Sequence, residues 1–152
     1  MRLLLDTNIV NRMADDAEEV SLALRVAQDA GRCQVLITHV QTDEISETKD
    51  EQRRALLVAV LAFVNARLEP TAGFVLDVSR LGMARLDFAE PIETVRGVNF
   101  KHSRDALLAS TAVEEGAVLV TADVPLGRQL VKRLGGRWWD YPELVGWLRE
   151  GS

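Results

Sequence analysis

The sequence predicts an α/β protein: a central, mainly parallel sheet of four or five strands with helices on both faces, in three α/β/α layers. Two observations predict it. Short aliphatic runs recur along the 152-residue chain, and runs of this kind suit strands buried on both faces. Between them lie amphipathic stretches of helical length, and alternation of the two patterns implies a parallel sheet joined by crossover helices.

The elements follow in order. Arg2 to Leu5 is the first strand, and Ala17 to Ala30 is a helix with apolar residues at Val20, Leu22, Ala23, Leu24, Val26 and Ala27, closing on Gly31. Gln34 to Thr38 is the second strand. Asp50 to Leu68 is the most hydrophobic helix, with Pro70 just beyond its end. Gly73 to Val78 is a weaker strand candidate. Ser103 to Glu115 starts on a capping residue and stops at Gly116, and Ala117 to Thr121 is the strong late strand. Pro125 to Leu134 has proline near its first turn and breaks at Gly135-Gly136, after which Arg137 to Trp139 is a second weaker strand. The chain has no internal repeat, low-complexity tract or proline-, glycine- or serine-rich linker.

Composition narrows the class. A chain of this length builds one sizeable core, so residues 1–152 are expected to form one domain. The single cysteine, Cys33, excludes an internal disulfide framework, and with only His39 and His102 beside it a structural zinc site is excluded too. The cytoplasm is the expected compartment. The apolar start is broken by Asp6, and the longest apolar run, Ala55 to Val64, is too short to cross a bilayer, which takes about 20 residues. A net charge of −5 argues against tight, non-specific binding of long duplex. A small RNA footprint or a basic partner protein fits better.

Four acids stand at the ends of apolar segments. They are Asp6 in Leu5-Asp6-Thr7-Asn8, Glu44 in Thr42-Asp43-Glu44-Ile45, Asp105 in Asp105-Ala106-Leu107-Leu108-Ala109, and Asp123 in Val120-Thr121-Ala122-Asp123. Asp43 and Glu47 stand close to Glu44 as competitors for its place. In a doubly wound sheet, ligands collect beyond the carboxyl ends of the strands. Asp6 and Asp123 follow strands and so share that rim, Glu44 lies about two turns past the second strand, and Asp105 lies in the first turn of the helix leading into the late strand. Adjacent strands would let all four converge. Carboxylates repel one another, so such a site needs a cation or protons among them, and hard oxygen ligands suit Mg²⁺ or Mn²⁺.

That set of residues supports phosphoryl chemistry. A cation held by Asp6, Asp105 and Asp123 would polarise a phosphodiester oxygen and acidify a bound water, and Glu44 would orient that water or complete a second ion site about 4 Å away. One ion and two ions both fit. Attack by hydroxide leaves a 5′-phosphate and a 3′-hydroxyl.

The same four segments, extended through Ser110-Thr111-Ala112 after the third, resemble the acidic motifs of PIN-domain ribonucleases, in family order and over nearly the whole chain. A compact single-domain chain of this length resembles the VapC toxins of bacterial and archaeal toxin–antitoxin pairs. The resemblance implies a PIN-like fold and a Mg²⁺- or Mn²⁺-dependent endoribonuclease, held inactive by a cognate antitoxin and often dimeric. It also implies metal-binding and catalytic roles for Asp6, Glu44, Asp105 and Asp123, with Asn8 and Thr121 as supporting residues. The sequence departs from the pattern at Val124-Pro125-Leu126, where many relatives have a polar residue and an aromatic.

Plainer roles compete with these. Asp6, Asp105 and Asp123 each suit a helix N-terminus, as caps or as charges favoured by the macrodipole. Lys101 and Arg104 flank the third acid and Arg128 follows the fourth, which makes them candidates for steering phosphate, whereas Lys132 and Arg133 equally suit a solvated helix face. His102 and His39 have no necessary part in metal-driven hydrolysis. Trp138 and Trp139 would stack on a base or pack inward, and strand alternation turns one of them to the core. The run from Ala55 to Val64 is apolar nearly all round, so a dimer or antitoxin contact is expected to cover it. Three other functions compete with a toxin nuclease. A solitary RNA-processing PIN nuclease and a non-cleaving PIN-like scaffold keep the fold, whereas a phosphotransfer receiver needs a paired acid near the first strand and a lysine after the last, both missing here.

Overall fold

Leu3, Leu4 and Leu5 have no exposed surface, so the first strand is covered on both faces. The computed structural model describes residues 1–16, 19–72, 83 and 103–151. Among these, the strands are β1 (Arg2–Leu5), β2 (Gln34–Ile37), β3 (Arg67–Leu68), β4 (Val118–Val120) and β5 (Arg137–Trp139). The helices are α1 (Thr7–Asp15), α2 (Glu19–Asp29), α3 (His39–Ser46), α4 (Glu51–Phe63), α5 (Ser103–Glu114), α6 (Val124–Leu134) and α7 (Tyr141–Glu150).

The five strands form one all-parallel sheet in the order β3-β2-β1-β4-β5. Alternation along each strand feeds two cores. Leu3 and Leu5 with Val35, Ile37, Val118 and Val120 pack on one face against α1, α2, α4 and α7. Leu4, Leu36 and Leu119 pack on the other against α5 and α6. Helix α3 joins both, through Ile45 on the first face and Val40 on the second. No helix among the described residues is long and apolar enough to cross a membrane.

Winding runs outward from β1 to β3 on one side and then to β4 and β5 on the other. The carboxyl ends of β1 and β4 therefore flank the point where the direction reverses, which in sheets of this kind opens a crevice.

Several expected boundaries move. The helix expected to run to Leu68 ends at Phe63, because Asn65 takes a left-handed φ of 48° and turns the chain so that Arg67 and Leu68 pair with Leu36 and Ile37. Asparagine tolerates that conformation better than most residues. The edge strand beside β2 is thus Arg67–Leu68, and the strand expected over 73–78 lies outside the described residues. Helices α1, α3 and α7 were not read as helices, although α1 buries Ile9, Val10 and Met13 at helical spacing and α7 opens with a capping box between Asp140 and Glu143. The expected stops at Gly31, Gly116 and Gly135 hold, each with a positive φ.

Candidate metal centre

Asp6 begins the site because β1 ends at Leu5 and α1 starts at Thr7, leaving it as the N-cap between them. Its Oδ1 accepts from the Thr7 backbone N–H at 2.7 Å. Its Oδ2 accepts from Asn8 Nδ2 at 2.7 Å and from the Thr121 hydroxyl at 2.6 Å. The Thr121 hydroxyl accepts in turn from Asn8 Nδ2 at 3.1 Å and from the Asp123 backbone N–H at 3.0 Å. One donor and two acceptors exhaust what a hydroxyl offers, so Thr121 is fixed in orientation. Asn8 Oδ1 accepts from the Ala122 N–H at 3.0 Å, tying the turn after β4 to the start of α1. Asn8 and Thr121, the expected supporting residues, thus both hydrogen-bond the Asp6 carboxylate.

Asp6 is only 9% exposed. Burial pushes its pKa up to about 6; the Thr121 and Thr7 hydrogen bonds oppose that rise, and the charges of Glu44 and Asp105 add to it. Two of the other proposed ligands are thus close enough for Asp6 to feel them. Glu44, in α3, accepts from the Thr7 hydroxyl on Oε2, and its Oε1 lies 3.6 Å from Arg104 Nη1. Asp105 is half-buried in the first turn of α5. Asp123 is the N-cap of α6, where its Oδ1 accepts from the Leu126 N–H at 3.0 Å.

Asp6 and Asp123 are therefore helix caps, as the plainer reading had it, and Asp6 is also a buried acid facing two others. An all-oxygen set in which burial and like charges penalise ionisation is relieved by a hard divalent cation, so these residues fit Mg²⁺ or Mn²⁺. With Glu44 turned to Thr7 and Arg104, no three acidic, histidine or cysteine side chains among the described residues close into one coordination shell. Arg104 is paired with Glu47 at 3.0 Å as well as facing Glu44. Arg128 is exposed on α6, and Lys101 and His102 lie outside the described residues.

Three contributors escaped the sequence reading. Thr7 stood inside a quoted motif, but its contact with Glu44 depends on α1 and α3 packing side by side. Gln41 is fully buried, donates from Nε2 to the Leu5 carbonyl at 2.7 Å and accepts from the Thr38 N–H at 2.9 Å, and so fixes α3 against the end of β1. Trp138 donates its indole N–H to the Thr121 carbonyl at 3.1 Å and lies so close to Gly127 that a Cβ there would come within 2.1 Å of the ring. Glycine at 127 is what lets that indole reach the site. Trp139 packs 5.7 Å from Trp147 with the rings tilted by 38°, and the two strand tryptophans pack against opposite cores.

No family model matches the chain, and no curated protein matches it by sequence. Solved structures do. VapBC-1 from nontypeable Haemophilus influenzae superposes with a TM-score of 0.56 at 18% identity, covering 93% of this chain and 99% of that one. VapBC2 from Rickettsia felis, bound to a DNA fragment from its promoter, matches at 0.56 and 18%, covering 92% and 98%. PAE2754 from Pyrobaculum aerophilum matches at 0.58 and 17%, covering 99% of each chain. At such identity the likeness speaks for fold, and the fold is PIN-like.

Proposed function

We propose that this PIN-like chain is a Mg²⁺- or Mn²⁺-dependent endoribonuclease that hydrolyses RNA phosphodiester bonds, and that it is the toxin of a toxin–antitoxin pair acting in the cytoplasm. One observation carries the nuclease reading. Asp6 is a buried carboxylate at the reversal point of the sheet, kept partly protonated near pH 6 by burial and by Glu44 and Asp105. Acids are arranged so at a cost, and a cation-binding role accounts for it.

Asp6, Glu44 and Asp105 would hold the cation, with Asp123 at the mouth of the site. When bound, it supplies Lewis-acid activation of the phosphodiester and of a water. The chain supplies the rest. Asn8 and Thr121 hold Asp6 in one rotamer, Thr7 holds one oxygen of Glu44, and Glu44 orients the attacking water. Exposed Arg128, one turn along the helix that Asp123 caps, draws phosphate toward the crevice. Cleavage of a structured RNA is expected to require Mg²⁺ or Mn²⁺ and to leave 5′-phosphate and 3′-hydroxyl ends. Undiminished cutting in excess EDTA, or 2′,3′-cyclic phosphate ends, would overturn the proposal.

The toxin reading has support of its own, since structural relatives are VapBC toxin–antitoxin proteins. Helix α4 buries Leu57, Val60 and Leu61 but exposes Leu56 (44%), Val58 (54%) and Phe63 (47%). Beside Leu56 and Phe63 a cavity of about 270 Å³ opens between α1, α2 and α4, lined also by Met13, Ala14, Ser21, Ala59 and Val60. An antitoxin's apolar segment suits this face. Tagged protein from the native host is expected to carry a small partner that a Leu56→Lys, Phe63→Lys variant retains at least about tenfold less. A self-dimer dissociated by the same variant would assign the face to a second copy instead.

A further inference from the structure

The site contains a cation of its own, and none of the four acidic motifs includes it. Arg104 immediately precedes Asp105 in the first turn of α5, and its guanidinium reaches across to α3. There it takes Glu47 with both ends of the fork, Nη2 to Oε1 at 3.0 Å and Nη1 to Oε2 at 3.4 Å. The same Nη1 lies 3.6 Å from Glu44 Oε1, within ion-pair range but longer than a hydrogen bond. Glu44 and Glu47 are three residues apart, so α3 presents both to one guanidinium. The other oxygen of Glu44 receives the Thr7 hydroxyl.

Glu44 is therefore the acid of the proposed centre whose two oxygens are drawn to different groups, one to a neutral hydroxyl and one to a charge. Grip and reach differ on the two acids: Glu47 is hydrogen-bonded, while Glu44 is attracted without being locked. We propose that Arg104 is a positioning residue, an internal counter-cation that engages Glu44 when no divalent cation is present and gives it up when one binds. This rests on the metal-dependent reading above. A divalent cation and a guanidinium compete for the same carboxylate charge, and the bidentate pair with Glu47 keeps Arg104 anchored after Glu44 is released. Arg104 thus lowers the site's affinity for the ion through Glu44, and an acid that would otherwise stand uncompensated is balanced in the cation-free chain.

Mn²⁺ binding to the intact chain, followed by titration calorimetry, tests this without an activity assay. Arg104→Met is expected to tighten Mn²⁺ binding about fivefold, the scale of one partly exposed ion pair with Glu44 that the ion no longer has to break. Glu44→Gln weakens binding, and in that background Arg104→Met is expected to change it by less than about twofold. A through-space charge effect predicts the same gain in both backgrounds, and that result would overturn the proposal. So would weaker binding by Arg104→Met alone, which would mean that the arginine presents Glu44 to the ion instead of competing with it. Arg104 is 37% exposed, so the variant is expected to fold. Should it fail to, Arg104→Lys carries the same test, because a point charge cannot bridge two carboxylates as the fork does. No saturable Mn²⁺ uptake by the wild-type chain would overturn the metal reading together with this one, whereas uptake without coupling overturns this one alone.

Discussion

Asp6→Asn is expected to abolish RNA cleavage, by on the order of 10³-fold or more, while the purified variant keeps its wild-type far-UV circular dichroism. The size follows from what the carboxylate would do. Charge stabilisation by a correctly held cation is worth several kcal/mol in the transition state, and about 1.4 kcal/mol is one decade in rate. An amide is nearly isosteric with the acid but supplies no charge. Its oxygen still accepts from the Thr7 N–H, so α1 keeps its cap. Its nitrogen faces Asn8 Nδ2 and the Thr121 hydroxyl, which costs about two hydrogen bonds, roughly 2 kcal/mol. That local cost is too small to unfold the chain. Asp105→Asn is expected to behave alike, since its charge is felt at Asp6. A non-cleaving scaffold makes the opposite forecast: wild type and Asp6→Asn would bind RNA equally and neither would cut it in Mg²⁺ or Mn²⁺.

Much of the fold was legible because strands buried on both faces write continuous aliphatic runs. Leu3-Leu4-Leu5 and Val118-Leu119-Val120 read directly as β1 and β4, and these are the strands whose ends carry Asp6 and Thr121. Strand β3 was not legible, because two residues, Arg67 and Leu68, form no pattern and are strand only through pairing with β2. Helix α1 was hidden for a different reason. Thr7-Asn8-Ile9-Val10-Asn11 mixes β-branched residues and asparagines with weak helical preference, and burial of Ile9, Val10 and Met13 overrides it.

The site divides in the same way. Acids at strand ends are visible one by one, since each marks a break in an apolar run. What links them is tertiary. Thr7 reaches Glu44 across two helices, Gln41 ties α3 to the Leu5 carbonyl, and Trp138 steadies the Thr121 carbonyl from β5. No spacing rule in one sequence announces contacts between residues 17 or 36 positions apart. Arg104 reads as a phosphate-steering residue from its charge and its place beside Asp105, whereas its pairing with Glu47 and Glu44 is made across the fold, from α5 to the end of α3. A charge next to an acid in sequence says nothing about which acid it will face.

The stability of the cation-free chain is expected to carry a pH step that belongs to Asp6 and that divalent cation removes. In the folded chain this carboxyl has its pKa raised from 3.8 to about 6, chiefly by burial, so between those values the folded state binds more protons than the unfolded state. Stability from this group is therefore greatest below about pH 4, falls as pH rises through about 6, and is level above that. About two pKa units at about 1.4 kcal/mol each make the step roughly 3 kcal/mol, or roughly 6–12 °C in Tm for a chain of this size. Asp15 and Glu47 work in the other direction, because Arg53 and Arg104 lower their pKa values and the stability they add is lost as pH falls. The raw profile sums these opposing slopes, so the difference between wild type and Asp6→Asn is the quantity to measure. That difference is expected to favour the variant increasingly from pH 4 to pH 7, because roughly 3 kcal/mol of charge penalty outweighs the two hydrogen bonds, roughly 2 kcal/mol, that the amide forfeits. Saturating Mn²⁺ at pH 7 is expected to restore the wild type and leave the variant nearly unchanged, and below pH 6 wild-type Mn²⁺ affinity should weaken by up to about tenfold per unit as a proton competes for Asp6. Parallel profiles for the two proteins across that range would show that the Asp6 charge is not under strain, and the strongest ground for a cation at this site would be lost.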